Sequence, residues 1–318
     1  MRTHCFGSRE VSVIGLGSTD FGGKCPESQA RDFLDAYLAL GGNLIDTAHV
    51  YGDFVTPRNG ESEKVIGRWM ADRHVRDQIF LSTKGAHPPI HNMHESRLSR
   101  EDIRTDMAES LDALGTDHVD IYWLHRDDEA RPVGEIMETL QSLIDDGTAL
   151  SIGVSNWKPG RILEANAYAQ AHHLTPLCAE QPQFSLAIQN HSPDPTLVSM
   201  GPEAYRMHLD TGMACFCFSS QAHGYFTKLD QFGAEGMPDR LRARWESPEN
   251  SRIYARMKEL QSQTGLSVHA IALAWLTSQP FPTFALVGAS RMEHVESLRD
   301  AMDAALTDSQ REAIRSLR

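Results

Sequence analysis

Short apolar segments rich in branched residues alternate with longer amphipathic segments along most of this chain. This alternation is typical of repeated βα units, whose strands lie parallel to one another. About eight strands are predicted. They cover residues 11–16, 43–46, 78–82, 119–124, 150–154, 177–181, 213–218 and 284–287.

Helices are predicted between these strands. They cover residues 27–40, 61–71, 100–114, 133–145, 159–171, 202–209, two segments within 248–278, and 292–304. Glycines follow several of the helical segments, for example Gly41 and Gly115, where a helix is expected to end. The pattern predicts an α/β fold of the (β/α)8 TIM-barrel type.

The whole chain is expected to form one domain, residues 1–318, although 318 residues exceed the usual domain size of ~100 to 200. Barrels of this type are routinely longer than that, and no linker-like segment divides the chain. Residues 85–99 and 219–247 are predicted to be long βα loops. Such loops lie at the C-terminal face of a barrel and build its active site.

Charge and cysteine content restrict the class of partner. The net charge of -13 disfavours nucleic acid and anionic membranes, so a small molecule is the expected partner. Five cysteines without a CxxC pair indicate reduced thiols and a cytoplasmic protein. Neither a signal peptide nor an apolar run of ~18 residues is found, so no membrane association is expected. The oligomeric state, monomer or homo-oligomer, stays open.

Four polar segments lie where predicted strands end: NLIDTAHVYG (43–52), FLSTKG (80–85), DIYWLHRDD (120–128) and SIGVSNW (151–157). Their order and residue types resemble the aldo-keto reductase superfamily. The resemblance extends from VSVIGLG near the start to VGASRMEHVESL near the end, and it looks like the bacterial, carbohydrate-associated branch. It implies a catalytic tetrad of Asp46, Tyr51, Lys84 and His125.

The chemistry of these four residues agrees with that implication. Hydride addition to a carbonyl creates an alkoxide that needs a proton, and a phenol, which titrates near ~10, can serve if a cation favours its phenolate. Lys84 is the expected cation for Tyr51, and Asp46 offsets the cost of burying it. His125 is expected to orient the substrate or share the proton. Each residue alone has an ordinary structural role, but the ordered set favours an NAD(P)H-dependent carbonyl reductase, or the reverse reaction.

The resemblance also implies a cofactor site. Ser155, Asn156 and Gln181 are expected to hold the nicotinamide carboxamide, and Asp46 to lie beside the ring. Further residues are expected along the cofactor: Gly17, Ser18 and Thr19 after the first strand, and Phe218, Ser219, Ser220, Gln221 and Gly224 after the seventh. Phe218 replaces the usual stacking tyrosine, and a phenyl ring still offers a π-face. Ser220 and Gln221 depart from the usual Pro-Leu.

The segment VGASRMEHV lies between the last strand and a helix, where backbone amides and a helix N-terminus attract phosphate. Gly288, Ser290, Arg291 and His294 are expected to bind the adenosine end of the cofactor. Arg291 could bind a 2′-phosphate through its charge and fork geometry. NADPH is therefore the expected cofactor and NADH the alternative.

The predicted mouth loops are polar, which favours a hydroxyl-rich substrate such as a sugar, keto-sugar or polyol. The residues expected to contact it are His49, His87, Arg126 and Trp157. The histidines of HPPIHNMH lie in an irregular loop, and the chemistry needs no metal, so no metal site is predicted.

Other function classes have fewer features of the sequence in their favour. The pair Gly15-x-Gly17 begins like a Rossmann fingerprint, but Asp20 occupies the third glycine position. A nucleotide-binding regulatory protein on the same barrel is the main alternative, and cofactor turnover distinguishes it from an enzyme. A lyase or aldolase that forms a Schiff base on Lys84 is the third reading.

Overall fold

Strands and helices alternate throughout the computed structural model, which describes residues 1–53, 60–192 and 194–318. The strands in these ranges are β1 Thr3–Phe6, β2 Arg9–Ser12, β3 Ile14–Gly17, β4 Leu44–Asp46, β5 Phe80–Gly85, β6 Ile121–Leu124, β7 Ile152–Ser155, β8 Ala179–Gln181, β9 Ala214–Cys217 and β10 Thr283–Gly288. The helices are α1 Glu27–Ala39, α2 Glu61–Arg73, α3 Arg100–Leu114, α4 Val133–Asp145, α5 Pro159–Ala171, α6 Pro202–Thr211, α7 Tyr225–Phe232, α8 Asp239–Trp245, α9 Pro248–Thr264, α10 Val268–Thr277, α11 Met292–Glu296, α12 Leu298–Met302 and α13 Asp308–Arg315.

Strands β3 to β10 close into a barrel in the order β10-β3-β4-β5-β6-β7-β8-β9. Each neighbouring pair is parallel, from β3 with β4 to β10 with β3. The prediction of a (β/α)8 barrel is confirmed. Because the strands are parallel, their carboxyl ends meet at one rim, and residues that follow different strands become neighbours there.

The barrel has two apolar layers. An inner cluster of strand side chains, including Leu44, Ile121, Trp123 and Phe216, fills the cylinder. A larger cluster lies between the strands and the surrounding helices. The interior is therefore a packed core, and any substrate must bind at the rim.

A two-stranded hairpin closes the N-terminal end of the barrel, and the sequence did not predict it. β1 pairs antiparallel with β2, so residues 11 and 12 of the first predicted strand belong to this hairpin. The Phe6 ring packs edge-on against Phe80, Phe216 and Phe284, with centroids 5.4, 5.6 and 6.2 Å away. Each hairpin strand has only four residues, too few for a period to stand out.

Two other predictions need correction. The predicted loop 219–247 contains the short helices α7 and α8, which bury Tyr225, Phe226, Leu241 and Trp245. The predicted helix 292–304 is two short helices, α11 and α12. With seven or eight residues, α7 and α8 span only about two turns, so their apolar residues form no extended stripe.

One buried ion pair supports the outside of the barrel. His208 Nε2 lies 2.8 Å from Glu180 Oε2, both side chains are fully buried, and Nδ1 lies 2.9 Å from the Met213 carbonyl. Burial opposes the charged form, but the neighbouring Cys215 and Glu180 raise the pKa of His208 to about 10. With both ring nitrogens near acceptors, the imidazolium is the form that this pocket stabilises.

No helix in the described ranges is both long enough and apolar enough to cross a membrane. The longest, α9, has 17 residues and a polar composition.

Candidate active site

The carboxyl ends of five consecutive barrel strands bring the predicted polar residues to one part of the rim. Asp46 ends β4, Lys84 lies one residue before the end of β5, and His125 follows β6. Ser155 ends β7 and Gln181 ends β8. Residues that are far apart in sequence thus lie side by side.

Lys84 is the centre of the site. Its side chain is 1% exposed, and its ammonium donates to Asp46 Oδ2 at 2.6 Å, to the Thr47 carbonyl at 2.7 Å and to Tyr51 Oη at 3.2 Å. Burial alone would lower the pKa of Lys84, but the charge of Asp46 and the hydrogen bonds to Asp46 and Tyr51 outweigh it and hold this pKa above its ordinary value. The residue is therefore a fixed cation beside a phenol.

Asp46 is held by neighbours on both sides. Its Oδ1 accepts from Ser82 Oγ at 2.8 Å and from Gln181 Nε2 at 3.0 Å, while Oδ2 accepts from Lys84. Ser82 Oγ in turn accepts from Trp123 Nε1 at 2.7 Å. Sequence reasoning missed Ser82 and Trp123, although the strand period places residues 82 and 84 on the same face.

His125 is buried beside another histidine. Its ring centroid lies 4.7 Å from that of His87 and 5.9 Å from that of Tyr51, in edge-on geometry. Burial, followed by the charges of His87, Arg126 and Lys84, holds the pKa of His125 well below its ordinary value. Burial and Arg126 lower the pKa of His87 to about 4. Both imidazoles are therefore neutral near pH 7.

The predicted carboxamide-binding residues lie together, but they also bond to one another and to the rim. Ser155 Oγ donates to the Gln181 carbonyl at 2.7 Å. Asn156 has φ 61° and donates from Nδ2 to the His125 carbonyl at 3.2 Å, while its Oδ1 accepts from the Val198 amide at 3.0 Å. Asn156 therefore ties the loop after β8 to the rim beside His125.

The loop after β3 has a different arrangement from the one predicted. Ser18 is fully buried. Its Oγ donates to the Asp46 carbonyl at 3.0 Å and accepts from Ser62 Oγ at 2.7 Å. Its hydroxyl thus holds β4 and α2 and is closed to a ligand. Gly17 is half-buried and Thr19 is exposed, so these two keep access to the rim.

The segment after β9 combines a half-buried aromatic ring with polar groups. Phe218 is half-buried, Ser219 has φ 52°, and Ser220 Oγ donates to the Leu286 carbonyl at 2.6 Å. Ser220 is buried and fixes the loop to β10. Gln221 Nε2 is buried without a hydrogen-bond partner among the described residues. An orphaned donor of this kind fits a site whose remaining partner is a polar ligand.

Positive side chains gather next to the segment after β10. His294 Nδ1 accepts from the Ser290 amide at 3.3 Å, and its Nε2 lies 3.2 Å from Arg291 Nη2. Burial and the charges of Arg291 and Lys228 lower the pKa of His294. Lys228, which the sequence did not single out, lies on α7 just after Gly224. This local positive charge on an acidic protein fits the phosphates of a dinucleotide.

Two residues predicted to contact substrate are bonded to protein groups. His49 Nε2 lies 2.7 Å from Glu109 Oε2, so its ring faces α3. Trp157 is fully buried and donates from Nε1 to the Arg126 carbonyl at 3.2 Å. His87 and Arg126, the other two of the four, lie beside His125. The sequence does not distinguish a rim side chain that faces the solvent from a neighbour that faces the protein, so it did not predict these protein contacts of His49 and Trp157.

One group of metal-ligand types occurs in the described ranges: His49, Asp106 and Glu109, with donor atoms within 4.8 Å of one another. Asp106 already accepts from both Nη atoms of Arg97, at 2.9 and 2.5 Å, and from the Ala86 amide at 2.7 Å. This carboxylate is engaged by protein donors, and we assign no metal to the group.

The neutral state of the two histidines gives a testable prediction. Between pH 8 and pH 6 the imidazole NMR signals of His125 and His87 should not move, because burial and nearby cations disfavour their charged forms. The signals are assigned by their loss in His125→Gln and His87→Gln. A His125 signal that titrates near its ordinary value of ~6.5 would contradict this electrostatic account.

Comparison with known proteins places these observations in a family. The model for the aldo/keto reductase family matches residues 13–318. The chain is similar to a norsolorinic acid reductase of Aspergillus flavus (26% identity over 94% of this chain and 76% of the relative). It is also similar to an aryl-alcohol dehydrogenase of Pestalotiopsis microspora (29%, 94% and 77%) and a putative aryl-alcohol dehydrogenase of Saccharomyces cerevisiae (29%, 96% and 80%). These relatives are fungal oxidoreductases, so the predicted bacterial, carbohydrate-associated branch finds no support among them.

Proposed function

We propose that this chain, which belongs to the aldo/keto reductase family, reduces an aldehyde or ketone to an alcohol with NADPH, or catalyses the reverse. Tyr51 is the general acid, and Asp46, Lys84 and His125 complete the catalytic set. The single observation behind the assignment is the 3.2 Å contact between Lys84 Nζ and Tyr51 Oη.

That contact determines how a proton is supplied. A bound nicotinamide cofactor supplies the hydride. The Tyr51 hydroxyl gives its proton to the carbonyl oxygen, and the Lys84 ammonium stabilises the phenolate that is left. Asp46 keeps the ammonium charged and in place. In the alcohol-to-carbonyl direction the same phenolate accepts the proton.

His125 has a complementary role. A neutral imidazole can donate one hydrogen bond to the carbonyl oxygen without competing as the source of the proton. Its edge-on contacts with Tyr51 and His87 limit the ring to one orientation. We therefore assign orientation of the carbonyl to His125 and protonation to Tyr51.

NADPH preference is supported by the charges near the last barrel strand. Arg291 and Lys228 both act on His294, and a 2′-phosphate would bring two negative charges to this cluster. Gly288 ends β10 and Ser290 follows it, and both are exposed next to this cluster. Without the 2′-phosphate, the cluster has no matching anion on the adenosine.

The substrate is proposed to be a polar carbonyl compound. Sugars and keto-sugars stay candidates because His87 and Arg126 present polar groups beside His125. The relatives named for aryl alcohols and norsolorinic acid favour an aromatic carbonyl instead. We place the reaction in the cytoplasm because the five cysteines are free thiols. We assign it to one domain, residues 1–318, because strands β3 to β10 close into a single barrel.

A Schiff base on Lys84 is disfavoured. An amine must lose its proton to attack a carbonyl, and the pKa of Lys84 is held above its ordinary value by Asp46 and Tyr51 against the effect of burial. All three of its hydrogen bonds go to oxygen acceptors. A regulatory nucleotide-binding role has no observation in its favour beyond the shared fold.

Replacing Tyr51 tests the proposal. Tyr51→Phe should lower kcat by about 10²-fold or more, with the Kd of NADPH nearly unchanged, because only the proton donor is removed. NADPH oxidation over a panel of aryl aldehydes, aldoses and keto-sugars provides the assay. Tyr254→Phe, on α9 and bonded to Asp230, is the matched control and should keep full activity. Near-normal turnover by Tyr51→Phe would remove Tyr51 from the acid role.

Replacing Arg291 tests the cofactor choice. Arg291→Ala should raise the KM for NADPH by about tenfold and leave that for NADH nearly unchanged, because a charge-assisted contact is worth ~1.5 to 3 kcal/mol. Arg299→Ala, an exposed arginine on α12, is the control and should change neither KM. Equal effects of Arg291→Ala on both cofactors would refute the 2′-phosphate assignment.

A further inference from the structure

Arg126 directly follows His125, and its guanidinium is close to fully buried, with the side chain 10% exposed. Nη1 donates to the His125 carbonyl at 2.8 Å, and Nε donates to Thr196 Oγ1 at 3.0 Å. A guanidinium has five N–H donors, and these two bonds leave most of the Nη1–Nη2 edge available. That edge is the part of arginine that binds carboxylates through two parallel hydrogen bonds.

The charge of Arg126 is poorly matched by the protein. In the described part of the chain the one carboxylate within 4.0 Å is Asp194, whose Oδ2 lies 3.6 Å from Nη2. Charge-assisted N–H···O bonds are about 2.7–2.9 Å long, so this pair is loose. Arg97 offers a contrast, since both of its Nη atoms bond Asp106 at 2.9 and 2.5 Å. A buried cation with an incomplete partner is costly unless an anion joins it.

Arg126 lies close enough to the reacting centre to act on a bound substrate. Its charge contributes to the low pKa values of His125 and His87, after the effect of burial. Tyr51, in turn, helps to raise the pKa of Arg126 against burial, which lowers it overall. A carbonyl held between Tyr51 and His125 therefore has its substituents within the field of this guanidinium.

We infer that Arg126 is a specificity-determining residue, and that the preferred substrates are carbonyl compounds that carry a carboxylate. This inference rests on the proposed function, because it assigns a substrate class to the same site. The carboxylate replaces the loose contact with Asp194 by a two-point contact on the Nη edge. Since Thr196 and Asp194 lie in the same loop after β8, this loop forms one wall of the carboxylate site.

Asp194 is expected to oppose the substrate anion. Its carboxylate is 32% exposed and is held by the Thr196 amide and hydroxyl at 2.8 and 2.6 Å, so it stays near Arg126. Removing its charge should favour anionic substrates, whereas removing the charge of Arg126 should disfavour them. The two substitutions therefore change the same preference in opposite directions, which a purely structural role does not predict.

The test compares two aldehydes that differ in one charge, 4-carboxybenzaldehyde and methyl 4-formylbenzoate. The readout is the ratio of their kcat/KM values with NADPH. The wild type should prefer the acid by about tenfold or more, Arg126→Gln should lower the ratio by about tenfold, and Asp194→Asn should raise it about threefold. Arg104→Gln, on the exposed face of α3, is the matched control and should leave the ratio unchanged.

A ratio near one in the wild type, or a ratio that stays the same in both variants, would overturn the inference. If Arg126→Gln fails to fold, Asp194→Asn and the salt dependence of the wild-type ratio decide, since ionic strength should lower the acid's advantage. If neither aldehyde reacts, calorimetry with benzoate tests the carboxylate site separately from the proposed reductase function, and benzamide is the uncharged control. Benzoate binding that is lost in Arg126→Gln supports the carboxylate site without catalysis, and no benzoate binding refutes it.

Discussion

The contact on which this site depends is a buried ammonium held between a carboxylate and a phenol. Lys84 has to stay charged in a position that is 1% exposed, which is costly without a counter-ion. Asp46 supplies that charge at 2.6 Å, and Ser82 and Gln181 hold Asp46 from its other side. These residues come from three different strands, so only the closed parallel barrel brings them together.

One backbone atom, the carbonyl oxygen of His125, connects this residue to the loop after β8. The His125 carbonyl accepts from Asn156 Nδ2 at 3.2 Å and from Arg126 Nη1 at 2.8 Å. Asn156 also binds the Val198 amide, and Arg126 binds Thr196, so both side chains hold the loop after β8. The backbone at His125, the loop after β8 and the residue that follows β7 are thus coupled. A change in that loop should alter the position of His125.

The sequence predicted the barrel and its polar rim because both depend on local order. Asp46 and Lys84 lie at the carboxyl ends of buried strands, and parallel strands bring these ends together. Contacts between segments that are far apart in the sequence leave no such local pattern. The Phe6 hairpin and helices α7 and α8 are too short to show a period, and Lys228 joins the cluster at Arg291 only through α7. Ser18, His49 and Trp157 stand next to rim residues in sequence but face the interior or a helix, which depends on side-chain direction.

We propose that Asp46 acts through Lys84, and a double-mutant cycle tests this dependence. The kcat/KM values of wild type, Asp46→Asn, Lys84→Met and the double variant are measured with one aldehyde and NADPH. Coupled residues in one charge network give strongly non-additive effects. Asp46→Asn should lower kcat/KM by about 10²-fold alone but hardly at all in the Lys84→Met background. If the two losses in kcat/KM multiply in the double variant, the residues act independently and Asp46 does not act through Lys84.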